Sequence, residues 1–313
     1  MELRQLRAVL AIAQTGSVTK AAELLHVVQP AISRQLRQIE QDLGKPLFQR
    51  VHNGMEPTPE GLLLIDHARR ALLSLDKAVA EIKPSRGEVA GLVSIGLLPS
   101  VCDLLAVDLL KAVQCAYPQI HLRLSTGYPG QLQQLMEEGS LDMALLYHPR
   151  PIASVDMLPL LDEPLHLVGL PDSGMDWSTG AKPLSVLRNL PLILPSSVHT
   201  VRGILEHICA IQRIPLNIVA EVDATQLTRL FLAAGVAYTV LPGVAIADFL
   251  ARGDLAIAPL DHPALQRRIS LATTVTRRNS VAVRHVCDLL RENVQKLVRA
   301  GRWPGARLVD FAP

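Results

Sequence analysis

Thr15-Gly16-Ser17-Val18-Thr19-Lys20-Ala21-Ala22-Glu23-Leu24-Leu25-His26, followed by Gln29-Pro30-Ala31-Ile32-Ser33-Arg34-Gln35-Leu36, reads as two short helices set one after the other. Leu3, Leu6, Leu10 and Ala13 mark one face of a helix that precedes them. Thr15-Gly16 stops that helix, and Ser17 is a good N-cap for the next, which runs from about Val18 to Leu25 and buries Ala21, Ala22 and Leu25. Pro30 stands where a first helical residue would, since its missing N–H costs nothing there. The third helix continues to about Leu43, with Ile32, Leu36, Ile39 and Leu43 spaced four, three and four apart, and Gly44 is placed to close it. One short strand is expected near Leu47–Arg50; the section to about Thr58 is otherwise helical.

Two helices joined by a short turn can place the second in a major groove, which is wide enough to admit it. Opposite Ile32, Leu36 and Ile39, the third helix presents Ala31, Ser33, Arg34, Arg37 and Gln38. These residue types bridge phosphates and read base edges: Arg to guanine, Gln to adenine, Ala to a thymine methyl. Gln29 and Pro30 at the mouth of this helix and Ser17 at the start of the one before complete the candidate contacts. Arg50, His52 and the Asn53-Gly54 turn would form a wing against the backbone. An ordinary helical hairpin with a solvated face shares the same pattern.

From Thr58 the texture changes. Thr58 caps, Pro59 starts and Glu60 suits the positive end of a long helix to about Lys83. Ile65, Ala68, Leu72, Leu75, Val79 and Ile82 repeat as an a/d seam, while Arg69, Arg70, Asp76 and Lys77 occupy the other side. A two-stranded coiled coil between subunits would bury that seam; packing on the protein's own body is the alternative. Pro84-Ser85-Arg86-Gly87 then reads as a hinge.

Beyond Gly91 strands and helices alternate: Val93–Leu97, Val101–Ala116, Ile120–Ser125, Pro129–Glu138 and Leu141–Tyr147. That order predicts parallel strands with right-handed crossovers. Later strands are expected at Leu165–Gly169, Leu192–Leu194, Ile218–Val222, Val236–Leu241 and Ile269–Thr274, with a closing helix over Val281–Ala300. Leu230 to Ala247 carries no charge, but Gly235, Pro242 and Gly243 interrupt it, so it reads as helix end, buried strand and turn rather than a membrane span.

With 313 residues, 49% apolar and 19% charged, the chain can build two or three cores without disulfides or metals. Its formal net charge of +2 leaves any nucleic-acid contact to local charge. Cys102, Cys115, Cys209 and Cys287 are scattered, form no CxxC pair and are expected as small buried hydrophobes in a reducing compartment. The N-terminus lacks a secretory apolar region, so the cytoplasm is the expected location. No dinucleotide fingerprint, P-loop, nucleophile elbow or HExxH helix appears, and neither catalytic residues nor a cofactor or metal is expected.

The quoted run, continued by Ile39-Glu40, Leu43-Gly44, Leu47-Phe48, Arg50 and Pro57-Thr58-Pro59-Glu60-Gly61, resembles the signature of LysR-type transcriptional regulators. The resemblance is dense over the first sixty or so residues and rests elsewhere on length, element order and short motifs. It implies an α/β protein: an N-terminal all-α winged helix-turn-helix over 1–58, a dimerising linker helix and hinge over 59–87, and a two-lobed, periplasmic-binding-protein-like regulatory domain over 88–313. Lobe I would span about 91–161 and 267–300, and lobe II about 162–266. The implied partners are double-stranded promoter DNA, a small-molecule effector and further copies of the chain, as a homodimer through the linker helix and a homotetramer; RNA polymerase is a candidate partner and a membrane is not. Two departures stand out: Val28 replaces a frequent Ser at the recognition-helix entrance, and the wing with His52 and Asn53 is less basic than usual.

The resemblance places a ligand cleft between the lobes, at the carboxyl ends of strands, where α/β folds in general bind ligands. Its candidate walls are Pro99, Ser100 and Val101; Thr126 and Gly127; Ser196, Ser197, Val198 and His199; and Thr239. Ser100 and Ser196–Ser197 each precede an expected helix and are read either as holding a carboxylate with the following N–H groups or as plain N-caps. His199 and Arg202 add positive potential, so a small organic anion is the expected effector. Two rival readings are a stand-alone small-molecule binding protein with a docking module, which salt-sensitive DNA binding would exclude, and an α/β enzyme, which absence of turnover would exclude.

Overall fold

The computed structural model describes residues 1–82, 88–147, 153–178, 180–197, 199–277 and 280–309. The chain divides into two units, Met1–Arg86 and Gly87–Pro313; the expected hinge at Pro84–Gly87 lies outside the described residues.

The first unit contains α1 (Leu3–Thr15), α2 (Val18–Leu24), α3 (Gln29–Leu43), β1 (Phe48–Val51), β2 (Gly54–Pro57) and α4 (Pro59–Ile82). Gly16 and Gly44 end α1 and α3 in the left-handed conformation, at φ 63° and 67°, which a glycine adopts without a Cβ penalty. The Ser17 hydroxyl accepts from the Lys20 N–H. α3 begins one residue earlier than expected, with Val28 as an N-cap that gives no side-chain hydrogen bond and Pro30 inside the first turn. Beside β1 lies an antiparallel partner, β2, that the sequence reading lacked. Gly54-Met55-Glu56-Pro57 has no β-branched or aromatic residue, so no propensity announced it.

Leu47 is the junction of this unit. Its N–H donates to the Glu40 carboxylate at 2.7 Å, and its carbonyl accepts from the Thr58 N–H at 3.0 Å. The Thr58 hydroxyl donates to the Pro46 carbonyl and accepts from the Gly61 N–H, so the start of α4 is stitched to the lead-in of the hairpin. Ile65 and Ala68 of α4 then join Val9, Ile12, Ile32, Leu36 and Ile39 in the core, and Leu72 packs against it. Leu75, Val79 and Ile82 remain exposed. The expected seam therefore divides, its first half closed by the chain's own core and its second half open; Lys77, expected on the solvated side, is buried.

The second unit contains β3 (Gly91–Leu97), α5 (Pro99–Ala116), β4 (Ile120–Thr126), α6 (Pro129–Glu137), β5 (Met143–Tyr147), β6 (Val155–Gly169), β7 (Pro191–Leu194), α7 (Thr200–Ile211), β8 (Asn217–Glu221), α8 (Thr225–Ala233), β9 (Thr239–Pro242), α9 (Ala247–Arg252), β10 (Ala256–Pro259), β11 (Gln266–Thr274), α10 (Val281–Arg299) and β12 (Arg307–Leu308). β3 is parallel to β4 and β5, as expected of strand–helix alternation. The all-parallel expectation fails at β11, which runs antiparallel to both β5 and β6. β6 is 15 residues long and changes partners along its length: its first part pairs with β11, while Leu165–Gly169 pairs with β9 and β10. Only that second part was expected, because Pro159, Asp162, Glu163 and Pro164 break the apolar run before it. Pro159 is tolerated at a bulge, where the register with β11 shifts between Ile269 and Ser270. Among the described residues no helix is long and apolar enough to cross a membrane.

Glu163 and Arg267 are cross-strand partners of β6 and β11, both buried, with Nε to Oε1 at 2.5 Å. The second Glu163 oxygen accepts from the Trp303 Nε1–H at 2.8 Å. Trp303 is itself in the core, and β12 pairs with β6, so the segment after α10 is strapped down. The cysteines divide likewise: Cys209 is buried but Cys115 is exposed.

Two expectations follow from this packing. A Cβ on Gly61 would fall 1.9 Å from the Leu47 carbonyl oxygen, a backbone atom that cannot rotate away. Gly61→Ala is expected to destabilise the first unit by roughly 1–3 kcal/mol, the range for overpacking; an unchanged denaturation midpoint would show that α4 can slide. Glu163→Ala, which strands a buried guanidinium, should cost roughly 3–5 kcal/mol in urea unfolding, whereas Glu163→Leu combined with Arg267→Met should be near neutral or stabilising.

Candidate functional site

The first unit offers one polar surface built on α3. Burying Ile32, Leu36 and Ile39 leaves Gln29, Pro30, Arg34, Arg37 and Gln38 exposed and Ala31 and Ser33 half-buried. Gln29 donates to the Ser33 hydroxyl at 2.7 Å, and Arg37 Nε donates to the Ser33 carbonyl at 3.3 Å, so these side chains lie along the helix surface. Arg34 has no hydrogen bond or ion pair to the described residues, and its guanidinium is open to a partner. Ser17 is half-buried at the start of α2. Arg50 and His52 are exposed on the hairpin, whose β2 donates the Met55 N–H to the Gly16 carbonyl at 2.9 Å and is thereby held against the α1–α2 turn.

The second unit holds a cavity of about 60 Å³ at the carboxyl ends of β3, β5, β7 and β8. Of the expected walls, Pro99, Ser100, His199 and Thr239 line it. Thr126 instead lines a neighbouring hollow with Cys102 and Arg229. Burial and Asp103 push the Cys102 thiol up to about 11, leaving little thiolate there. Val101 is in the core with its N–H bonded to the Leu98 carbonyl, and the Gly127 N–H is bonded to the Leu97 carbonyl, so neither presents a free donor. Ser196 and Ser197 are not among the lining residues, and Val198 lies outside the described residues.

The expected anion-holding groups have protein partners instead. Ser100 is inside the first turn of α5 rather than before it, and its hydroxyl accepts from Arg267 Nη2 at 2.7 Å. The Ser196 N–H and hydroxyl both donate to the Asp223 carboxylate, at 2.8 and 3.0 Å, and His199 Nε2 is 3.0 Å from the same group. The Ser196 N–H above all, then its hydroxyl and the His199 imidazole, hold the Asp223 carboxyl below the usual carboxylate range against a smaller desolvation effect. Arg202 is buried, donating to the Pro195 carbonyl and pairing with Glu206 at 2.7 Å. Tyr128 closes the mouth: its ring meets His199 edge-on with centroids 4.0 Å apart, and its hydroxyl donates to the Asp223 carbonyl.

Among the wall residues that escaped the sequence reading are Tyr147, Asp223 and Arg267. Tyr147 ends β5, so the rule that ligands lie beyond carboxyl ends of strands points to it. Arg267 shares the buried parity of its strand with Ile269, while Arg268 faces out to pair with Asp162; an arginine on an inward position is a readable signal. Asp223 follows β8 and has no signal of its own.

Residues 3–62 match the family model described as bacterial regulatory helix-turn-helix protein, lysR family, and residues 86–295 match the LysR substrate binding domain. Among curated proteins, the chain is 31% identical over 298 residues to the HTH-type transcriptional regulator BbuR of Bordetella bronchiseptica, covering 94% of this chain and 90% of that one. It is 30% identical over 283 residues to the nitrogen assimilation regulatory protein nac of Klebsiella aerogenes, covering 90% and 91%. Full-length CbnR in complex with its target DNA has the same fold, with a TM-score of 0.70 at 22% identity over 95% of this chain and 99% of that one. A full-length OxyR variant of Pseudomonas aeruginosa gives 0.68 at 22% identity over 100% and 99%. The chain belongs to the LysR family of bacterial transcription regulators, which bind DNA and answer to a small-molecule effector.

Proposed function

We propose that α3 is the recognition helix, entering the major groove of promoter DNA with Gln29, Pro30, Ala31, Ser33, Arg34 and Arg37 towards the duplex, and that Ser17, Arg50 and His52 grip the flanking phosphates. The observation that carries this is the division of α3 into a face locked in the core and a face whose Arg34 is open. A guanidinium presenting two parallel donors suits guanine. The complex of CbnR with its target DNA supports the same use of the first unit.

The DNA-binding domain is assigned to residues 1–58, the linker helix and hinge to 59–87, and the effector domain to 88–313, with the lobe boundary inside β6 between Leu161 and Asp162. The cavity lined by Pro99, Ser100, His199 and Thr239 is the effector site; closure of the lobes on a ligand would shift the subunit arrangement, which requires different affinities for the two states. The chain acts without catalysis, in the cytoplasm, as a homodimer through α4 and as a homotetramer of two such dimers on DNA, with RNA polymerase as a further partner. The exposed Leu75, Val79 and Ile82 support the dimer, since a single helix has nothing of its own to cover them.

Arg34→Ala is expected to weaken operator binding by roughly 1–3 kcal/mol and to relax base preference, measured by titration on operator and random duplexes; an equal loss on both would make Arg34 a phosphate contact only. Leu75→Asp with Val79→Asp should convert the dimer to monomers in sedimentation, and an unchanged mass would reject α4 as the dimer seam.

A further inference from the structure

The charges around the cavity point to a ligand class. We propose that the cavity selects an uncharged ligand, an apolar or aromatic body carrying an N–H or O–H donor, and discriminates against carboxylates. This rests on the reading of the cavity as the effector site.

The arginines at and beside the wall, and the polar groups of His199 and Ser196, already have an anion of the protein. Arg267 gives Nε to Glu163 and Nη2 to Ser100, and its guanidinium lies over the Tyr147 ring, 4.6 Å from the centroid. Arg229, at the rim, pairs with Asp103. His199 and the Ser196 N–H and hydroxyl are bound to Asp223. Of the positions from which an α/β cleft would hold a carboxylate, Ser196 is thus filled by Asp223 and Ser100 is engaged by Arg267. An incoming anion would meet the Asp223 carboxylate, lose its hydration and find the Arg267 charge already paired with Glu163.

What the wall leaves available is apolar surface and hydroxyl groups. Leu98, Val201, Val222, Val240 and Leu241 supply the first. The Thr239 hydroxyl donates to the Ile193 carbonyl at 2.6 Å and that of Thr228 to the Ala224 carbonyl at 3.3 Å, so both turn lone pairs rather than protons to a ligand. A donor on an otherwise apolar molecule completes them, and a carboxylate, which only accepts, repels them.

The test is calorimetric titration of the full chain with matched neutral and anionic probes: benzamide and benzoate, phenylacetamide and phenylacetate, nicotinamide and nicotinate. The expected result is that at least one amide binds, and binds ten-fold or more tightly than its carboxylate. Tighter binding of the carboxylates overturns the proposal, and so does failure of all three amides. Glu163→Gln keeps the shape of the buried pair and unmasks the Arg267 charge, so the amide preference should fall ten-fold or more; an unchanged ratio would show that the pairing of Arg267 does not set the selectivity. Should that variant fold poorly, the wild-type ratios decide. Val222→Trp fills the cavity, and amide binding that survived it would refute the cavity as the effector site rather than the preference for neutral ligands.

Discussion

A charge pair removed from water is held where good geometry and further hydrogen bonds offset its lost hydration, and the Glu163–Arg267 pair is supported from four directions. Trp303 fills the second carboxylate oxygen, Ser100 takes a second guanidinium nitrogen, Tyr147 lies against the guanidinium face, and the β6–β11 register sets the two side chains opposite each other. Each neighbour is placed by a different element: the segment after α10, the first turn of α5, the end of β5 and the long strand β6. The pair therefore decides where the C-terminal strap lies, where α5 begins and what floors the cavity. Its exposed neighbour, Arg268 with Asp162, has comparable geometry but faces solvent, where such a contact adds little.

The first unit solves a smaller problem. With few residues to bury, it uses the backbone around Leu47 as a junction, so that α3, the hairpin and α4 share hydrogen bonds instead of a large apolar interface. Gly61 is required by the same closeness, since only a residue without Cβ lets α4 approach the Leu47 carbonyl. That rigidity matters for the reading of DNA, because base-edge contacts demand a helix whose exposed face keeps its register with the wing.

Helices were legible where their ends carry chemistry: Ser17 and Thr58 as caps, Gly16 and Gly44 as stops, Pro59 at a start; α5 was placed two residues late, past Pro99. Strands were legible where apolar residues run unbroken, as in β3 and β5. They were missed where polar residues serve tertiary partners, as Asp162 and Glu163 do in β6, or where side chains carry no strand preference, as in β2. The exposed polar face of α3 was readable because its amphipathicity is local. The cavity was readable only as a location, beyond the carboxyl ends of strands. Its chemistry comes from residues distant in sequence, Glu163 with Arg267 and Ser196 with Asp223, and no local pattern could show that the serines expected to hold a ligand are already holding, or held by, groups of the protein.

The seam of α4 shows why a periodic signal can support two readings and be right about both. Ile65, Ala68 and Leu72 share their spacing with Leu75, Val79 and Ile82, and nothing in the repeat distinguishes them. The difference arises from packing: the core of the first unit takes in Ile65, Ala68 and Leu72 and none of the later three, so the helix runs out of its own core while its apolar periodicity continues. A helix that keeps an a/d pattern past the edge of its core presents apolar side chains whose removal from water is worth roughly 25 cal/mol per Å², a gain open only to a second surface. In a family of DNA-binding regulators, whose operators commonly carry two half-sites, a second copy of the same helix satisfies both that burial and the two-fold symmetry of the target.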